Sequence, residues 1–215
     1  RPRAYAPLFL TIPREEQLGQ AIDIIRELRL DGILRGVPVI QNTLTLSTHF
    51  PELLGQFRGG DALLPDEEVQ RIADESGVGR WGVRTAVWGD GPVVDYQVTR
   101  ITEAWSAIDG SNVMHHRTFA ADEWHEITEF TDKVQAGIPT LDMLGTIPDG
   151  IGHIGFSPVV PLLGTEVTKV VELMKHAIET RGGFNFTAGL IPINDRSCII
   201  VTGANMITTD PESVT

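Results

Sequence analysis

Residues 5–30 read YAPLFLTIPREEQLGQAIDIIRELRL, and residues 151–180 read IGHIGFSPVVPLLGTEVTKVVELMKHAIET. Each stretch opens on a strand-like apolar run and passes into a stripe of helical period. In the first, Leu18, Ala21, Ile22, Ile25 and Leu28 fall at i, i+3, i+4, i+7 and i+10, one face of an amphipathic helix. In the second, the stripe is Val167, Val170, Val171, Met174 and Ile178. A strand followed by a helix thus starts twice. The chain reads as two similar halves, about 1–120 and 150–215, joined by a connector over 121–149.

The rest of each half follows from local signals. Gly32 is placed to stop the first helix. Residues 37–47 read as a strand, or an irregular strand with a short helix, and 51–64 as a glycine-bearing loop. Pro65-Asp66-Glu67-Glu68 starts a short helix through residue 73, with proline and acids where a helix N-terminus favours them. Residues 80–88 are a strand closed by the turn Gly89-Asp90-Gly91-Pro92, followed by a helix over 93–108 and a strand over 112–119. The connector holds a short helix around 122–130 and a loop at 137–140. In the second half, Arg181-Gly182-Gly183 ends the helix, and strands over 184–191 and 196–202 are joined by Pro192-Ile193-Asn194-Asp195. This order predicts an α+β fold: an antiparallel sheet with helices on one face, built from two ferredoxin-like halves. The second half lacks its last helix and strand. With Arg1 in first place and a turn-like Asp210-Pro211-Glu212-Ser213 near the end, the chain reads as cut from a longer polypeptide.

Composition narrows the function classes. At 215 residues, with 41% hydrophobic and 21% charged residues, the chain can bury a substantial core. A formal charge of −12 argues against nucleic acid and anionic membrane surfaces as partners. No apolar run approaches the roughly 20 residues of a membrane span, and no apolar signal segment follows Arg1-Pro2-Arg3. The single Cys198 forms no internal disulfide, and a cytoplasmic location is expected.

Three motifs invite chemistry. Gly150-Ile151-Gly152-His153-Ile154-Gly155 has the spacing of a dinucleotide fingerprint, but a strand, not a helix, is expected after it. Its glycines are better read as letting a chain segment or a flat ligand approach the strand. His115, His116 and His125 near Asp122, Glu123 and Glu126 lack the spacing of a metal site and read as a solvated strand end leading into an acidic helix. Cys198 has no nearby histidine to activate it and reads as a small buried hydrophobe. Among these motifs the residues alone assign no active site.

Several short stretches, in order, resemble the cap domain of the vanillyl-alcohol oxidase and p-cresol methylhydroxylase family. They are Leu8-Phe9-Leu10-Thr11-Ile12-Pro13, residues 20–30, Gly36-Val37-Pro38-Val39-Ile40, Gly79-Arg80-Trp81, Gly137-Ile138-Pro139-Thr140, Phe156-Ser157-Pro158 and Gly183-Phe184-Asn185-Phe186. Their collinearity covers nearly the whole chain. The resemblance implies a parent flavoprotein that oxidises para-alkylated phenols through a quinone methide. It implies FAD held mainly by a separate domain that is absent here, so the chain by itself is expected to be inactive. The partners implied are that FAD-binding domain, a small phenolic substrate and, by analogy, a second copy in a homodimer.

The resemblance also implies that Thr187, Gly189, Ile191, Ser197, Cys198 and Ile200 line the cavity over the flavin, with Ser157 and His153 on the neighbouring strand. No catalytic residue is assigned to this chain. Many family members tether the flavin through a histidine or tyrosine in the strand that matches 196–201 here; this strand has neither, and the flavin is expected not to be tethered through His or Tyr of this chain. The competing reading is a non-catalytic ligand-binding or oligomerisation domain with ferredoxin-like halves.

Overall fold

The computed structural model describes residues 3–47, 63–142 and 151–207. Its strands form one nine-stranded sheet, and every strand pairing among the described residues is antiparallel. The first half contributes β1 (Ala4–Ile12), β2 (Val39–Asn42), β3 (Trp81–Gly89) and the short β4 (Val113–Met114) and β5 (Phe119–Ala120). The second contributes β6 (Ile151–Phe156), β7 (Val159–Pro161), β8 (Ala188–Pro192) and β9 (Ser197–Ile207). The order across the sheet is β4-β1-β3-β2-β8-β9-β6, with β5 also on β1 and β7 also on β9.

The first half is ferredoxin-like, a β-α-β-β-α-β unit in which β1 pairs β3 and not its sequence neighbour β2. The second repeats the arrangement in mirror order: β6 and β7 lie on β9, and β9 lies on β8. The halves meet edge to edge where β2 pairs β8, Ile40 opposite Leu190 and Gln41 opposite Gly189. Asn42 locks this seam. Its Nδ2 donates to the Phe186 carbonyl at 2.8 Å, and its Oδ1 accepts from the Thr45 amide at 3.0 Å and hydroxyl at 2.7 Å.

Helices α1 (Leu18–Leu30), α4 (Gly91–Trp105) and α6 (Gly164–Ala177) cover one face. The five stripe residues expected in α1 are all buried. Gly32 sits at φ +68°, a left-handed backbone that lets the chain leave the helix at little cost. Against these helices β1 turns Ala4, Ala6, Leu8, Leu10 and Ile12, and β3 turns Trp81, Val83 and Val87, to make one core. Trp105 closes α4 by donating its Nε1–H to the Thr11 carbonyl at 3.0 Å. On the helix side the two halves also join. Gly164 and Gly19 bring α6 and α1 into backbone contact, and the Asp23 carboxylate accepts the Gly164 amide at 2.7 Å.

Two further helices, α2 (Thr43–Ser47) and α3 (Asp66–Ser76), pack together through Leu44 and Val69. Arg80, nearly fully buried, meets Glu15 at 2.8 Å and Asp66 at 2.9 Å. Asp66 also holds Lys175 of α6 at 2.6 Å, a third tie between the halves.

Some expectations need correction. The strand expected over 112–119 is only β4 and β5, because His115, His116 and Arg117 turn outward: His115 bonds Thr118, and Arg117 reaches Glu123 and Glu126. The helix expected around 122–130 is a 3₁₀ turn at Trp124–Glu126, and the helix proper is α5 (Phe130–Gln135). The strand expected over 151–160 is interrupted at Ser157-Pro158, though both pieces keep one register on β9. The loop expected over 51–64 lies almost wholly outside the described residues.

Candidate functional site: the face opposite the three long helices

Alternation along each strand sends every second side chain to the face that the three large helices leave uncovered. Register then aligns these residues across strands. One row runs Thr11, Gly82, Gln41, Gly189, Val201, and the next carries Phe9, Arg84 and Val39 in the first half and Ile191, Ile199 and Val159 in the second. The face divides into two regions of different character.

Over the first half the connector folds back and makes a hollow. Tyr5 donates its hydroxyl to the Asp132 carbonyl at 2.9 Å and packs against Trp124, ring centres 5.7 Å apart. With Ile127, Phe119 and Ile138 it fastens α5 above β1 and β3. The hollow, about 830 Å³, is floored by Pro7, Phe9 and Arg84 and rimmed by Met114, His116, Glu129 and Asp132. Arg84 lies with its guanidinium 5.2 Å from the Phe9 ring centre and donates to the Thr131 hydroxyl at 2.8 Å. Burial lowers its pKa, opposed by the Asp132 and Glu129 charges. Burial likewise raises that of Asp132, opposed by Arg84. A cation inside an otherwise apolar strand was the visible sign of this hollow, and the sequence reading passed over Arg84.

Over the second half the face is lined by small and aliphatic residues. A Cβ placed on Gly189 would meet only the Ile40 carbonyl oxygen, at 3.9 Å, among the described residues. Gly155 stands opposite Gly203 in the same sheet. Around this strip Ile191, Ile199 and Ser197 are half-buried, and Val159 and Val201 are exposed. Gly82 differs: a Cβ there would strike Phe9 and Leu46, so its missing side chain serves packing.

Of the residues expected to line a cavity, Gly189, Ile191 and Ser197 fall on this face by alternation, and Thr187, half-buried, precedes β8. Ser157 is exposed between β6 and β7. His153 lies in β6 opposite Asn205, and its side chain is outside those described. Cys198 and Ile200 are corrected. Both have no exposed surface and lie in the core under the helices. Period-2 alternation makes the reason plain, since neighbours such as Ser197 and Cys198 must point to opposite faces. Burial pushes the Cys198 thiol up to about 12, leaving it protonated and unreactive near neutrality.

The three histidines make no cluster: His115 bonds Thr118 and His125 bonds the Asp122 carbonyl. Among the described residues no group of three His, Cys, Asp or Glu side chains could hold a metal ion. The described part of the glycine motif lies in β6, paired along β9, and not at a helix N-terminus. No described helix is long and apolar enough to cross a membrane.

The fold is thus an α+β sheet of two ferredoxin-like halves, with three long helices on one face and, on the other, the connector over the first half and an open strip around Gly189 over the second. No family model matches the chain. Among solved structures, p-cresol methylhydroxylase with substrate bound superposes over 99% of this chain and 41% of its own, with a TM-score of 0.82 and 20% identity. The 4-ethylphenol oxidase of Gulosibacter chungangensis, in complex with isoeugenol, covers 97% of this chain and 40% of its own, with a TM-score of 0.77 and 21% identity. In sequence, the flavoprotein subunit of 4-cresol dehydrogenase (hydroxylating) from Pseudomonas putida is 21% identical over 184 residues, 85% of this chain and 35% of that protein. The resemblance to the vanillyl-alcohol oxidase and p-cresol methylhydroxylase family therefore holds in sequence and in fold. The chain spans well under half the length of the relatives it matches.

Proposed function

We propose that this chain is the cap of a flavin-dependent oxidoreductase acting on para-substituted phenols, and that the sheet face opposite its three long helices lies over the isoalloxazine. The observation that carries the reading is the open, side-chain-free position at Gly189 beside Ile191, Ile199 and Val201, in a chain collinear with phenol-oxidising relatives. FAD supplies the hydride acceptor. A planar ring system fits this surface because no Cβ stands up from Gly189 and the flanking side chains are aliphatic.

The residues of this chain contribute surface rather than acid–base chemistry. Ile191, Ile199 and Val201 exclude water from the ring face, which protects hydride transfer from side reactions. Thr187 and Ser197 supply hydroxyls at the margin of the strip. Cys198 stays in the core, and we propose that the flavin is not tethered through a His, Tyr or Cys of the strand β9. The phosphates and the catalytic base then belong to the FAD-binding domain of the parent, and the chain alone does not turn over.

The test is the full-length protein with Gly189→Phe. Purified wild-type protein should show flavin absorbance and oxidise a para-alkylphenol. The variant should keep its flavin, held by the other domain, and lose at least about tenfold in kcat/KM through misplacement at the ring. A full-length protein without flavin, or a variant of unchanged activity, refutes the proposal.

A further inference from the structure

The described residues bury four side-chain amides, those of Gln41, Asn42, Gln97 and Asn185. Three of them have partners. Asn42 bonds the Phe186 carbonyl and Thr45, Gln97 donates to the Ile33 carbonyl at 2.9 Å, and Asn185 accepts the Leu64 amide at 2.8 Å. Gln41 is 9% exposed, and among the described residues its side-chain amide makes no hydrogen bond. Buried polar groups are nearly always hydrogen-bonded, because losing water without gaining a partner is destabilising. Gln41 is therefore built to meet a partner that arrives from outside.

Its place in the sheet says what kind. Alternation puts Gln41 on the face opposite the three long helices, between Gly82 on β3 and Gly189 on β8. The two flanks differ. Over Gly82 the space is filled by Phe9 and Leu46, whereas over Gly189 it is open. The free flank of Gln41 thus borders the strip of Gly189, Ile191, Ile199 and Val201. From β2 through β8 to β9 is two strand spacings, roughly 10 Å, enough to carry the long axis of a three-ring isoalloxazine. The two ends of that ring are unlike. One is a dimethylbenzene, as apolar as Ile199 and Val201. The other is a pyrimidine imide, in which carbonyl acceptors flank an N–H donor. A primary amide carries donor and acceptor on neighbouring atoms and can match such an edge with two hydrogen bonds.

We propose that Gln41 binds the pyrimidine edge of the flavin: its Nε2–H donates to a ring carbonyl and its Oε1 accepts from the ring N–H beside it. The pair turns the polar edge toward β2 and the dimethylbenzene end toward β9. Reduction by a hydride puts negative charge on the pyrimidine carbonyls, so a fixed donor there favours the reduced ring and raises its potential. This rests on the cap reading above.

Redox potentiometry of the full-length flavoprotein tests it. Gln41→Met keeps the reach of the side chain and removes the amide. It should lower the equilibrium constant for two-electron reduction at least about tenfold, which is about 30 mV. Gln41→Glu, equal in shape, loses the donor and adds a charge that opposes the reduced ring. It should lower the potential at least as far, and it decides the question if Gln41→Met does not fold. Gln97→Met is the control, a buried glutamine of α4 whose bond to Ile33 lies away from the strip, and it should leave the potential unchanged. An unchanged potential in the Gln41 variants overturns the inference and leaves the cap reading standing. So does a raised KM for a para-alkylphenol at unchanged potential, which assigns the amide to the substrate, and so does an equal drop in Gln97→Met. A full-length protein that binds no flavin overturns both readings.

Discussion

Replacing Gly164 by alanine tests whether the two halves are held at a fixed angle by their helices. A Cβ on Gly164 would fall inside the van der Waals envelope of the Gly19 carbonyl oxygen and 2.7 Å from Asp23 Oδ2. The first neighbour is helix backbone and cannot swing aside, so α6 must move away from α1. Forcing a methyl into such a contact costs about 1–3 kcal/mol. Displacing Asp23 weakens its bond to the Gly164 amide, a capping interaction whose loss costs about 1 kcal/mol. The gain in helix propensity is at most about 1 kcal/mol, and less at a first turn. The net expectation is a loss of roughly 2 kcal/mol, or about 4–8 °C in Tm for a chain of this size. Gly19→Ala is the control. Its Cβ would meet Thr168 Cγ2 at 3.4 Å and the Gly164 carbonyl carbon at 3.6 Å, so it should be within about 0.5 kcal/mol of wild type. Urea unfolding of both variants reads the difference. If Gly164→Ala is as stable as Gly19→Ala, the helices are not in the backbone contact described and the reasoning fails.

Other outcomes follow from the same structure. Cys198, its thiol pushed up to about 12 by burial, should not react with a disulfide reagent at pH 8 in native protein and should react promptly in urea; native reactivity would place it on the surface. Asp66 has a lowered pKa, chiefly through its hydrogen bond from Lys175 and then that from Arg80. Its stabilisation is therefore complete above its unfolded pKa, about 3.9, and is lost as pH falls through the lower folded value. Asp66→Asn should flatten the acid limb of the stability–pH curve below about pH 4, and an unchanged limb would count against the Arg80–Asp66–Lys175 tie. Tyr5→Phe removes the bond to the Asp132 carbonyl, should cost about 1 kcal/mol, and should speed amide exchange in α5 more than in α1.

Helix faces were the most legible part of the sequence, because a stripe such as Leu18, Ala21, Ile22, Ile25 and Leu28 has one geometric meaning. Strand partners were less so. Alternation in 5–12 tells which residues share a face but not that β1 pairs β3 across an intervening helix and strand. The strand expected over 112–119 failed where two polar residues, His115 and Arg117, found side-chain partners off the sheet. At the candidate site, the set expected to line a cavity mixed residues of opposite alternation: Gly189 and Ile191 lie on one face of the sheet, Cys198 and Ile200 on the other. The hollow around Arg84 could not be composed from sequence, since its walls come from β1, β3, the end of α3, residues 114–119 and the connector, up to 125 positions apart along the chain (Pro7 and Asp132).

The face opposite the three long helices depends on residues that do not lie on it. Its central row crosses from one half to the other between Gln41 and Gly189, and only two residue pairs join β2 to β8. A ladder that short defines an edge but resists twisting poorly, because adjacent strands tolerate a range of twist of tens of degrees. Three ties off the face remove that freedom: the Asn42 side chain at the seam, the Gly19–Gly164 helix contact behind it, and Asp66 holding both Arg80 and Lys175 at the end. On the proposed reading, in which this surface lies over a planar ring, such remote constraints keep Ile191, Ile199 and Val201 in one plane with Gly189 when the halves would otherwise rotate. On that reading, loosening the helix contact should disturb the proposed covering role before it unfolds the protein.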